Sequence, residues 1–129
     1  MKERITVPTL PEPKASYSRC LKFDNLLFIA GTGPRDPETG TLCTGSMYEQ
    51  TRLTALNVKA LVEAAGGTLN DIAQLTVFIT DYDEYEGYNR GFDEVFKPEV
   101  SDCPTRATVQ VAKLYGGIKV EMMGIAVLK

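Results

Sequence analysis

"IKVEMMGIAVLK", residues 118–129, reads as a β-strand that is apolar on both of its faces. Ile118, Val120, Met122, Ala126 and Leu128 share one face by strand alternation, and Met123, Ile125 and Val127 share the other. A strand with two apolar faces needs cover on both. Only two upstream segments carry helical spacing, enough for one face, so a second copy of the chain is the simplest cover for the other. The one acidic residue inside the run is Glu121, on the Met123 side, where an unpaired carboxylate is costly.

The segment before it, "TRATVQV" at 105–111, is a second strand-like run led by Arg106, with Pro104 stiffening its entry and Val109 and Val111 reading as core. Two readings of Arg106 compete. It is either an edge-strand arginine paired with a surface carboxylate, which contributes little, or a fork of donors presented to a ligand carboxylate, which Arg can grip bidentately and Lys cannot. Composition alone favours the first. Glu121 divides evenly between positioning a water with a perturbed pKa and a structural ion pair with Arg106.

Further upstream, "SMYE" at 46–49 is a capping box. It opens a helix with Leu53, Leu56, Ala60, Leu61 and Ala64 on its apolar face, and Gly66-Gly67 stop it. "IAQLTVFIT", 72–80, is a buried strand. Asp81 or Asp83 caps a second helix with Tyr85, Tyr88, Phe92, Val95 and Phe96 on its apolar face, ended by Pro98. Asn89 falls inside that stripe and needs a partner. "SYSRCLKF" at 16–23 and "LLFIAGT" at 26–32 form a hairpin about Asp24-Asn25, with Tyr17 a half-buried packing residue on the first strand. A short strand follows near Thr41–Cys43, and residues 1–14, with Pro8, Pro11 and Pro13, form an extended arm. The order is βββαβαββ, an α+β domain over 1–129 with one sheet and both helices on a single face.

Composition narrows the chemistry. The chain has 129 residues, a net charge of −3 and no histidine, which removes Ser-His and Cys-His nucleophile pairs. Lys and Arg are scattered singly, so nucleic acid is not an expected partner. No apolar run is long enough to span a membrane and no signal peptide is evident, so a cytoplasmic protein is expected. Cys20, Cys43 and Cys103 have no zinc spacing and read as reduced thiols; no metal site is expected. "GTG" at 31–33 is turn material and not a dinucleotide fingerprint.

"PTRATVQVAKL", a five-residue gap and "VEM" resemble the C-terminal signature of the YjgF/RidA family of enamine/imine deaminases. "SYS", "FIAGTGPRDPETG", "NVKALVEAAGGTLNDIAQLTVFITD" and "YNRGFDEVF" resemble family segments in the same order. The resemblance implies a chorismate-mutase-like α+β fold, a homotrimer, and active sites between subunits that need no cofactor. It implies that Arg106 binds the substrate carboxylate and Glu121 activates water. Tyr17 would line the site, Gly31 would offer backbone contacts, and Asn89 would lie nearby. Thr108 stands where many relatives have Cys, its backbone N–H still able to meet a carboxylate, and Met123 where another glutamate is common. The implied reaction is hydrolytic deamination of 2-enamine/2-imine acids such as 2-aminoacrylate. Alternatives are a 2-aminomuconate deaminase, suggested by "GT" at 31–32, "EGYN" at 86–89 and "PTR", and a non-catalytic ligand-binding trimer. RNA cleavage, described for some relatives, fits poorly with an acidic chain lacking histidine.

Overall fold

The computed structural model describes residues 1–129 throughout. Eight elements build it: β1 (Lys2–Arg4), β2 (Cys20–Phe23), β3 (Leu26–Thr32), α1 (Met47–Ala64), β4 (Ile72–Ile79), α2 (Tyr85–Phe96), β5 (Thr105–Gln110) and β6 (Val120–Val127). The strands form one six-stranded sheet in the order β1-β2-β3-β6-β4-β5. Only β4 and β5 run parallel, with α2 as their crossover; every other pair is antiparallel. The two-faced strand β6 lies inside the sheet, between β3 and β4.

Local chemistry sets the element ends. Ser46 Oγ accepts from Glu49 N at 3.2 Å while Ser46 N donates to Glu49 Oε1 at 3.3 Å, the reciprocal capping box read from the sequence. α1 stops where Gly66 takes a positive φ of 89° and Gly67 N donates back to Val62 O at 2.9 Å. The β2–β3 turn pairs Phe23 with Leu26 around Asp24-Asn25, with Asp24 at φ 54°, a conformation Asp tolerates better than most residues.

Several expectations need correction. The arm at 1–14 is not merely extended, because residues 2–4 add an edge strand antiparallel to β2. The strand expected near Thr41–Cys43 is a single bridge between Arg35 and Leu42. β2 begins at Cys20, so Tyr17 precedes the strand instead of lying on it. Val109, expected in the core, is 43% exposed, because β5 is an edge strand and Val109 lies on the face opposite the helices.

The core lies between the sheet and the two helices, with Leu27, Val58, Leu61, Leu75, Val77, Phe96, Val120 and Met122 all closed to solvent. On β6, Val120, Met122 and Ala126 are buried on the helix side, while Met123 and Val127 are each 43% exposed on the other. The expected apolar stripe of α1 is largely displaced. Leu61 is buried, but Leu53, Leu56 and Ala60 are half-buried and Ala64 is exposed. The face that is buried carries Gln50, Thr51, Thr54 and Asn57 beside Met47, Ala55, Val58, Leu61 and Val62.

Candidate functional site

The buried polar residues of α1 hold the loops around a cleft. Asn57 donates from Nδ2 to Gly33 O at 3.0 Å and to Arg35 O at 2.8 Å. Gln50 donates to Gly45 O at 2.9 Å and accepts from Lys119 N at 2.8 Å. Loop backbone that packs on a helix must find partners, and these two amides supply them. The sequence reading missed both residues; Gln50, Thr54 and Asn57, at i, i+4 and i+7, were the signal.

The cleft so framed has a volume of about 520 Å³ and is lined by Tyr17, Arg19, Gly31, Arg35, Tyr115 and Glu121, among others. Glu121 pairs with Phe78 in the sheet and so points away from the helices. Its seat depends on Gly31, because a Cβ there would stand 2.6 Å from Glu121 Oε2. Burial pushes the Glu121 carboxyl above the ordinary carboxylate range. No cation pairs with it.

Arg106 lies on the opposite face. It pairs with Leu75, a core residue on the helix side, and its guanidinium meets α2. Nη2 donates to Tyr85 Oη at 2.9 Å and to Asn89 Oδ1 at 3.1 Å, and Cζ sits 4.7 Å from the Phe92 ring centroid and 5.0 Å from that of Tyr88. Arg106 has no carboxylate partner either. Within the chain neither ion pair forms: Arg106 meets no surface carboxylate, and the sheet separates it from Glu121.

Thr108 shares the Arg106 face. Its hydroxyl hydrogen-bonds Tyr88 Oη at 2.8 Å and its carbonyl accepts from Tyr82 Oη at 2.7 Å. Val111 N donates to Ile79 O, so strand alternation turns the N–H groups of Arg106 and Thr108 outward to the open edge of β5. Six candidate residues thus form two half-sites: Tyr17, Gly31 and Glu121 around the cleft, and Asn89, Arg106 and Thr108 at the β5 edge. No group of three or more Cys, Asp or Glu converges as a metal site would require.

A single mixed sheet with both helices on one face places the chain in the chorismate-mutase-like α+β class. Residues 8–128 match the model of the family described as endoribonuclease L-PSP, and the chain belongs to that family, the YjgF/RidA family of the resemblance above. A RutC family protein of Pyrococcus abyssi is 37% identical over 125 residues, covering 97% of this chain and 96% of that one. TdcF of Escherichia coli strain K12, provisionally named as a reactive intermediate deaminase, is 35% identical over 127 residues, 98% of each chain. The crystal structure of Escherichia coli TdcF with bound serine superposes with a TM-score of 0.92 at 34% identity, covering 98% of this chain and 99% of that one.

Proposed function

We propose that this chain hydrolyses reactive 2-enamine/2-imine acids to 2-keto acids and ammonia, as a homotrimer whose sites lie between subunits. The observation that carries the reading is the pair of half-sites: Arg106 and Glu121 each lack an ionic partner, and each occupies a different face of the sheet. Apposing the β5 edge of one copy with the cleft of the next completes the set. Such a head-to-tail contact, repeated with closure, makes a ring.

In this site Arg106 grips the substrate carboxylate through the guanidinium atoms that Tyr85 and Asn89 leave free, helped by the outward N–H of Thr108. The enamine takes a proton from solvent at C3 to give the protonated imine, whose C2 is electrophilic. Glu121 orients a water at C2 and takes its proton as the C–O bond forms, giving a carbinolamine. It then returns that proton to the nitrogen. The C–N bond breaks, ammonia leaves, and the hydroxyl passes its proton back to Glu121 as the ketone forms. A carboxyl whose pKa burial has raised is a stronger base once ionised. The family membership and the provisional name of TdcF support the reaction class.

Complementation tests the arrangement. Arg106→Ala and Glu121→Gln chains are each expected to be inactive on 2-aminoacrylate generated in situ. Refolded together at equal amounts, they should regain about a quarter of the sites in a randomly mixed ring, because one interface orientation in four unites an intact Arg106 with an intact Glu121. No regained activity, from mixtures shown by mass spectrometry to contain hybrid rings, would refute the intersubunit site. The serine bound to TdcF also suits a non-catalytic ligand-binding protein. Absence of ammonia release from the wild-type chain would favour that reading.

A further inference from the structure

The Glu121 cleft carries more positive charge than its reaction explains. Besides Glu121 it is lined by Lys14, Arg19 and Arg35, with Glu12 as the only other carboxylate. Glu12 is already engaged with Arg4 at 2.6 Å. Neither Arg19 nor Arg35 has a carboxylate partner. The cleft is therefore electropositive on a chain whose net charge is −3.

The two guanidiniums are half-buried and anchored to backbone in a way that leaves donors free. Arg19 Nε donates to Pro11 O at 2.7 Å, which leaves both of its terminal nitrogens for a ligand. Arg35 Nη1 donates to Gly40 O, and Arg35 O is held by Asn57, so its loop is fixed and Nη2 and Nε remain. Burial, with the like charge of Arg35 adding to it, pulls the Arg19 pKa below the ordinary arginine value, although nearby Tyr17 and Glu12 act the other way. Two partly desolvated cations kept close, neither in contact with a carboxylate, are costly unless an anion joins them.

The anion is not the reacting carboxylate, because that group belongs to Arg106 at the other half-site. We infer that the substrates of this chain carry a second anionic group, a distal carboxylate that Arg19 and Arg35 receive on the Glu121 side of the site. The preferred class is then the dicarboxylic 2-imino acids, with Arg106 at one end, Glu121 at C2 and the arginine pair at the other end. This inference rests on the deaminase reading for the reaction, but the charge it assigns to the ligand does not.

Stable product-like acids test the charge without turnover. Titration calorimetry would compare 2-oxoglutarate and 2-oxoadipate with the monocarboxylate 2-oxobutanoate. One charge-assisted contact is expected to make at least one dicarboxylate bind about 10-fold to 100-fold more tightly. Arg35→Gln and Arg19→Gln should each bring that ratio toward unity, and residual 2-oxobutanoate binding by the same variants shows that the cleft still folds. Arg35→Lys, which keeps charge but loses the fork, should fall between. Equal affinity for both classes, or a dicarboxylate preference that survives both glutamine variants, would overturn the inference. Imines generated from glutamate and alanine by amino acid oxidases separate it from the deaminase reading. Turnover of both with equal kcat/KM sinks the dicarboxylate preference alone. Turnover of neither, with the binding preference intact, sinks the deaminase reading and leaves the ligand class standing.

Discussion

Arg106 is held by its shape as well as its charge. Its planar fork donates to Tyr85 and Asn89 while its face lies over two aromatic rings. Lysine at 106 keeps the charge but can reproduce neither the fork nor the stacking. Arg106→Lys should lower kcat/KM for imine hydrolysis by about 10²-fold or more, since a misplaced carboxylate misplaces C2 as well. Near-normal kinetics would make Arg106 a structural residue. Glu121→Gln should cost about 10²–10⁴-fold, the usual contribution of a positioned base. The base works as the anion, so wild-type kcat/KM should decline as pH falls through a value above the ordinary glutamate range, and the glutamine variant should lack that limb. Stability runs the other way. A folded pKa raised above the unfolded one means that the native state binds the proton more tightly, so stability declines as pH rises from the unfolded pKa through the folded one. Glu121→Gln should therefore melt no lower than wild type at neutral pH; a clear drop would mean that the carboxylate has an ionic partner in the assembly.

At the scale of elements, the two helices approach closely at Gly91. A Cβ there would stand 2.7 Å from Tyr48 O and 3.0 Å from Arg52 N, both backbone atoms that cannot swing aside. Alanine is about 1 kcal/mol better than glycine in a helix interior. Overpacking a tight contact costs about 1–3 kcal/mol. Gly91→Ala should thus lower stability by up to about 2 kcal/mol in denaturant titration, and a gain would show that the helices separate easily. Most element types were legible because each had local punctuation: the Ser46–Glu49 box, the Gly66-Gly67 stop and the two-residue turn at Asp24-Asn25. The buried face of α1 was not, because hydropathy cannot distinguish Asn57 and Gln50 serving loop backbones from the same residues facing water. Nor was the separation of Arg106 from Glu121. Each side chain's alternation within its own strand was visible, but whether two strands' faces coincide depends on their pairing, and β4, which lies between them, is set by the whole sheet. The positive cleft escaped for a similar reason: Arg19 and Arg35 are scattered in sequence and meet only through β3 and its following loop.

The whole molecule presents the face of the sheet away from the helices as an apolar surface. Phe28, Met123 and Val127 are 45%, 43% and 43% exposed there, and Phe28 pairs directly with Ile125. A packed neighbour would bury each at about 1.5–3 kcal/mol per large side chain. Phe28→Lys leaves the single chain's core untouched, so it should keep a native circular dichroism spectrum and yet scatter light as a smaller particle than wild type. An unchanged mass would remove this face from the assembly.

The interior place of β6 also governs how the chain can acquire its structure during synthesis. Leu26 pairs with Val127, so the earliest long strand waits for the last one. Until residues 120–127 leave the ribosome, β3 and β4 have no strand between them, and the sheet exists as two fragments, β1-β2-β3 and β4-β5. Local hairpins and helices can form in that interval, but the cooperative event cannot. A topology dominated by such distant pairings folds slowly for its size, and the nascent chain displays the unpaired flanks of two strands while it waits, which is when a chaperone would be of most use.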